Sequence, residues 1–89
     1  MIKKDLTIVN KLGLHARAAA KLVSLAAKFD ADIQVAKEGR QVNGKSIMGV
    51  MMLAASKNST ITLIADGEDE QQAIRELEQL VMDRFGEEE

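Results

Sequence analysis

The 89-residue chain contains no cysteine, proline, tryptophan or tyrosine, and its aromatic residues are two phenylalanines. Without cysteine it can form no disulfide, no thiolate nucleophile and no cysteine-based zinc or iron–sulfur site. The chain has a single histidine, His15, which excludes a multi-histidine metal site within one chain. The sequence therefore predicts neither a metal nor a cofactor.

The overall composition is that of a small folded domain. Hydrophobic residues make up 46% of the chain and charged residues 29%, which is too apolar for a disordered protein. No apolar run reaches the ~18 residues of a spanning helix, and no hydrophobic segment follows the first lysines. We expect a single domain over residues 1–89, cytoplasmic and without membrane insertion.

The net charge of -2 conceals an uneven distribution. Residues 1–60 hold ten basic and four acidic residues, whereas residues 61–89 hold two basic and ten acidic residues. The basic part suits an acidic protein partner or a phosphate group. Nucleic-acid modules of this size usually stack bases on aromatic residues of strands, but both phenylalanines here fall at predicted helix ends, so we expect no nucleic-acid partner.

Hydrophobic periodicity predicts an α+β domain with the element order β-α-β-β-α-β-α. Alternating residues predict strands at 2–9, 33–37, 40–43 and 60–65. Helical periodicity predicts a helix from Ala16, a short helix capped by Ser46, and a last helix that Gly86 ends, with a flexible acidic tail at 86–89. One sheet with helices on a single face is expected, in which strands 1 and 2 are parallel with another strand between them.

The segment Gly13-Leu14-His15-Ala16-Arg17 combines three features that suit a transient phosphohistidine. His15 lies at a helix start, where free N–H groups can bind an anion and the dipole favours a neutral, nucleophilic ring. Arg17 adds a guanidinium suited to phosphate oxygens. On local chemistry alone, an exposed cap histidine beside a solvated arginine fits equally well. No second base or carboxylate pair lies nearby, which argues against a hydrolase.

This segment resembles the active-site motif of the HPr family, the histidine-containing phosphocarriers of the bacterial phosphotransferase system. Residues 43–53 resemble that family's regulatory-serine segment, and the likeness extends over residues 2–85. The resemblance implies an HPr-like open-faced β-sandwich, with an antiparallel four-stranded sheet ordered 1-4-2-3 and three helices on one side. The family motif has proline where this chain has Ala18, so we expect a looser helix start and leave the efficiency of transfer open.

The resemblance also implies a role for each matching residue. His15 would accept a phosphoryl group on Nδ1 from phosphorylated enzyme I and pass it to enzyme II A-type acceptors, with Arg17 holding the phosphate. Ser46 would be the target of an HPr kinase/phosphorylase. The docking residues that the resemblance implies are Ile47, Met48, Met51 and Met52. We add Lys21 because of its charge, since a basic helix face near the site can steer an acidic enzyme I surface. Such a protein is a carrier that is itself turned over, and not a conventional enzyme.

Two other functions stay open at this point. One is a regulatory HPr-like module that acts by docking under control of Ser46. The other is a generic α+β interaction or nucleic-acid domain, against which the scarcity of aromatic residues weighs. Ser46 is in any case a good helix N-cap. Because a short helix cannot bury every apolar residue, we expect Val50 and Leu53 to face inward and Met48 or Met51 to face outward. The sequence does not distinguish a sugar pathway from a nitrogen-related pathway.

Overall fold

The element order of the computed structural model, which describes residues 1–89, is the expected β-α-β-β-α-β-α. Its elements are β1 (Ile2–Thr7), α1 (Ala16–Ala26), β2 (Asp32–Lys37), β3 (Arg40–Asn43), α2 (Ile47–Met52), β4 (Thr60–Asp66) and α3 (Glu70–Met82). None of the three helices combines the length and apolarity needed to cross a membrane.

The four strands form one sheet in the order β1-β4-β2-β3, and every neighbouring pair is antiparallel. Leu6 of β1 lies opposite Ile61 of β4, and Val35 of β2 lies opposite Leu63 of β4. Because β4 is antiparallel to both β1 and β2, those two strands run parallel with β4 between them. Both the parallel relation and the 1-4-2-3 order are confirmed.

One face of the sheet and the three helices enclose a single core of 23 buried residues. The strand residues at alternate positions, such as Ile33 and Val35, are fully buried in it. Helix α1 contributes small alanines, among them Ala18 and Ala19, whose size allows the helix to approach its neighbours closely. This packing holds the start of α1, and with it His15, against the rest of the domain.

The hairpin between β2 and β3 also supports α2. Glu38 and Gly39 both have positive φ, 50° and 83°, the pattern of a two-residue type I′ turn. Directly after this turn, Nη1 of Arg40 donates to the carbonyl of Met52 at 3.1 Å. A cation at the last carbonyls of a helix is favourable, so β3 stabilises the end of α2.

The end of α3 differs from the sequence prediction. The helix ends at Met82, and a short 3-10 segment, Arg84–Gly86, comes next, in which Arg84 and Phe85 have left-handed φ values of 57° and 55°. The prediction of a helix up to Gly86 was wrong. Phe85 is spaced as the next apolar residue of a helix would be, but it lies in the turn after α3, and from there its ring packs into the core. Nζ of Lys21 donates to the Phe85 carbonyl at 2.6 Å and so holds the reversal.

Candidate functional site

The loop before α1 is packed tightly against the main chain that follows α2. Gly13 has φ +70°, and a Cβ there would lie 2.5 Å from the carbonyl oxygen of Ala55. The N–H of Leu14 donates to that same oxygen at 2.8 Å. Only glycine fits this close approach and this backbone conformation without strain. The contacts fix the conformation of the loop that leads into α1, and this conformation determines the position of His15.

His15 is the N-cap residue of α1, with an extended backbone (φ -75°, ψ 178°). Its carbonyl accepts the first helical hydrogen bond, from Ala19 N–H at 2.8 Å, while its side chain makes no cap bond. The N–H groups of Ala16, Arg17 and Ala18 precede that bond and have no main-chain partner. His15 therefore directly precedes three free amides at the positive end of a helix.

Arg17 lies on the exposed face of α1 and makes no hydrogen bond or ion pair. Together with Lys21, Ser24 and Lys28 it lines a shallow groove, which Leu80 of α3 borders. These four residues are spaced four, three and four positions apart and therefore share one face of the helix, and we call them the basic groove. The ammonium of Lys21 is already bonded to the turn at Phe85.

Glu87 is a site residue that sequence reasoning missed. Its Oε2 is hydrogen-bonded to Nε2 of His15, and its Oε1 accepts from Nδ2 of Asn10 at 3.0 Å. Asn10 is fully buried and also donates to the carbonyl of Gly13 at 2.8 Å. Because 72 positions separate Glu87 from His15, no local pattern could have paired them.

The acidic tail, expected to be flexible, makes further contacts beside the site. The N–H of Lys11 donates to the main-chain oxygen of Glu89 at 2.7 Å, and Nζ of Lys11 lies 3.1 Å from its carboxylate. The hydrogen bond from Asn10, followed by that from His15, outweighs partial burial and lowers the pKa of Glu87. Glu87 is therefore ionised at neutral pH.

Helix α2 has the two faces expected of it. Ser46 is its N-cap, and Oγ accepts from the N–H of Gly49 at 3.1 Å. Val50 and Leu53 are buried, as predicted. The remaining large apolar side chains are exposed, and we call them the methionine patch: Ile47, Met48, Met51 and Met52. No hydrogen bond joins Ser46 to His15.

Comparison with known proteins identifies the family. The model of the PTS HPr component phosphorylation site matches residues 2–83. The chain belongs to the HPr family of phosphocarrier proteins. It is 58% identical over 87 residues to the phosphocarrier protein HPr of Cupriavidus necator, with 98% of each chain covered. It is 51% identical, with the same coverage, to the phosphocarrier protein HPr of Neisseria meningitidis.

Solved HPr structures have the same fold. The crystal structure of HPr-C-His from Thermoanaerobacter tengcongensis superposes with a TM-score of 0.96 at 46% identity, covering all of both chains. That of the phosphocarrier protein HPr from Bacillus anthracis gives a TM-score of 0.87 at 42% identity, covering 90% of this chain and 95% of the other. The four-stranded sheet with three helices is therefore an HPr fold.

Ala18 is where this chain departs from the HPr motif. It is the third residue of α1, its side chain is fully buried, and its N–H has no main-chain partner. Proline would lose no hydrogen bond at such a position. The helix nevertheless begins at Ala16, as predicted, so the absence of proline does not move the start of α1. Ala18 instead adds one amide donor beside His15.

Proposed function

We propose that His15 of this HPr-family chain accepts a phosphoryl group on Nδ1 and passes it to a second protein. The observation that carries the proposal is the state of the two ring nitrogens. Nε2 of His15 is bonded to Glu87, whereas Nδ1 makes no hydrogen bond, and the side chain is 28% exposed. Nδ1 is therefore the nitrogen available for attack on phosphorus.

The reaction needs no water and no proton transfer to a base. The lone pair of Nδ1 forms a bond to phosphorus while the bond between phosphorus and the donor nitrogen of enzyme I breaks, and that electron pair stays on the donor. Arg17 and the amides of Ala16–Ala18 would stabilise the negative charge on the transferring group. Transfer to an enzyme II A-type acceptor repeats the exchange in the opposite direction.

The surfaces around His15 support docking to such partners. The basic groove complements an acidic protein surface and accelerates encounter. The methionine patch offers flexible apolar side chains, which adapt to more than one partner. Enzyme I as donor and enzyme II A-type proteins as acceptors fit both features, and a cytoplasmic location fits those partners. One reactive histidine that is recharged by another protein is the chemistry of a carrier and not of an enzyme.

Ser46 supports a second role, the control of docking. The residue is partly exposed at the start of α2, next to the methionine patch. Phosphorylation by an HPr kinase/phosphorylase would add about two negative charges at that edge. An acidic partner would then be repelled. Binding of enzyme I that is unchanged by Ser46→Asp would contradict this role.

Incubation with enzyme I and phosphoenolpyruvate, followed by intact mass, tests the carrier function. We expect one acid-labile phosphate on the wild type and none on His15→Ala. Arg17→Ala should still be labelled, but about 100- to 1000-fold more slowly, the range for loss of one group that stabilises developing charge. A wild-type chain that no enzyme I can label would contradict the carrier function and favour a regulatory docking module.

A further inference from the structure

Asn10, Glu87 and His15 form a connected chain of side chains at the candidate phosphorylation site. We propose that Glu87 is a positioning residue for the reaction of His15: it holds the proton on Nε2, keeps Nδ1 as the nucleophile, and offsets the positive charge that the ring acquires. This inference rests on the proposed function of His15.

The amide of Asn10 is oriented to hold Glu87. Both neighbours of its amide, the carbonyl of Gly13 and Oε1 of Glu87, are acceptors, so the NH₂ group must face them and both of its donors are used. Oδ1 of Asn10 is left buried without a partner. Such an orphaned acceptor is destabilising, and the two donated bonds keep the side chain in this orientation despite it. Asn10 thus holds Oε1 of Glu87, while the other carboxylate oxygen, Oε2, contacts His15.

The carboxylate in turn determines which ring nitrogen carries the proton. An ionised carboxylate can only accept hydrogen bonds, and Asn10 lowers the pKa of Glu87. The nitrogen that faces it, Nε2 of His15, must therefore carry a hydrogen. In the neutral ring the lone pair then lies on Nδ1. A carboxylate holds a histidine tautomer in the same way in a catalytic triad, with the roles of the two ring nitrogens exchanged.

Charge gives Glu87 a second role in the transfer. When Nδ1 shares its lone pair with phosphorus and Nε2 keeps its proton, the ring becomes positively charged. Glu87 then faces this positive charge, while Arg17 and the free amides of α1 face the anionic phosphoryl group. Each developing charge thus meets a group of opposite sign that is already in place.

The tail is held in place by contacts on both sides of Glu87. Before it, Lys21 binds the carbonyl of Phe85, whose ring is buried in the core. After it, Lys11 binds the main chain and the carboxylate of Glu89. These contacts fix the tail at its two ends, so that the carboxylate of Glu87 reaches His15 from a defined direction.

Four full-length proteins test the inference: wild type, Glu87→Ala, Glu87→Gln and the matched control Glu88→Gln, whose carboxylate makes no hydrogen bond or ion pair. Imidazole nitrogen NMR, at a pH where the ring is neutral, reports the tautomer of His15, and transfer from enzyme I reports the rate. We expect Glu87→Ala to give a mixed tautomer and to accept the phosphoryl group at least several-fold more slowly than Glu88→Gln. Glu87→Gln should keep the Nε2–H tautomer, because its amide oxygen still accepts, but transfer more slowly than the control.

The outcomes separate the inference from the function on which it rests. If no enzyme I phosphorylates the wild type, the proposed function of His15 fails. If the wild type is phosphorylated and Glu87→Ala matches Glu88→Gln in tautomer or in rate, the positioning role is wrong. Faster transfer by Glu87→Ala would also overturn it, because the tail would then be a cover over His15.

Discussion

The carboxylate of Asp69 accepts a hydrogen bond from the main-chain N–H of Ala31 at 2.9 Å, and its second oxygen accepts from Asp30 N–H at the same distance. The residue that precedes α3 thereby holds the connection between α1 and β2. These two bonds, with that of Asp30 the larger influence, lower the pKa of Asp69.

This contact predicts a pH dependence of stability. Because the pKa of Asp69 is lower in the folded than in the unfolded chain, its ionised form stabilises the fold above the unfolded value, about 3.9. That stabilisation is lost as the pH falls through the lower, folded pKa. Asp69→Asn should therefore lower the free energy of unfolding at neutral pH, and the difference from wild type should shrink below about pH 4.

Urea unfolding at several pH values measures this difference. Glu68→Gln is the matched control, because Glu68 is adjacent, carries the same charge and makes no hydrogen bond or ion pair. A difference between Asp69→Asn and wild type that stays constant down to pH 2 would contradict the assignment.

The tight approach of Gly13 to Ala55 predicts a large cost for adding one methyl group. In Gly13→Ala, Cβ would meet the Ala55 carbonyl oxygen at 2.5 Å in addition to the strain of a positive φ. Gly39→Ala has a similar φ, +83°, but no atom within 4 Å of the new Cβ. We expect Gly39→Ala to lose about 1–2 kcal/mol from the backbone alone, and Gly13→Ala to lose more.

Chemical denaturation of the two variants gives the comparison, and transfer from enzyme I adds a second readout. Gly13→Ala should also slow transfer, since the loop places His15, whereas Gly39→Ala should not. Equal losses of stability would show that the loop can move away from Ala55.

The N-cap bond of Ser46 predicts that one variant of this residue changes the stability of the fold and another changes the rate of transfer. Ser46→Ala removes the acceptor for Gly49 N–H and should destabilise the fold by about 1 kcal/mol. Ser46→Asp keeps a cap acceptor, so its stability should stay close to that of the wild type, while its added charge should slow transfer from enzyme I. Thermal unfolding and transfer rates, measured on both variants, test this; transfer by Ser46→Asp at the wild-type rate contradicts a regulatory role.

The methionine patch predicts a loss of binding without a loss of folding. Met48 is 73% exposed, so Met48→Glu should change the free energy of unfolding by less than about 0.5 kcal/mol. It should weaken binding to enzyme I, because it places a charge in an apolar contact that faces an acidic partner. Met82→Glu is the matched control, since Met82 is also exposed but lies at the end of α3. Calorimetric titration that shows equal affinities for both variants would exclude the patch from this interface.

Local sequence patterns determined most of the helices and strands and identified His15, Arg17 and Ser46 as site residues, but they did not identify Asn10 and Glu87. Alternation predicts the strands because one face of each is buried, and helical spacing predicts the faces of α1 and α2 for the same reason. The helix start at His15, the cap at Ser46 and the inward Val50 depend on neighbours within four residues. They could be derived from the chain itself, and the resemblance of residues 13–17 to the HPr motif supplied the chemistry and the strand order.

Only the tertiary structure decided the contacts between distant parts of the chain. Glu87 reaches His15 because Phe85 turns the chain into the core after α3, and Asp69 reaches Ala31 because α3 packs beside the end of α1. Glu87 is one of three consecutive glutamates, and its local sequence is the same whether its carboxylate is solvated or bound. Its partner depends on where packing of the whole domain brings the main chain, and no periodicity of 2 or 3.6 residues encodes that.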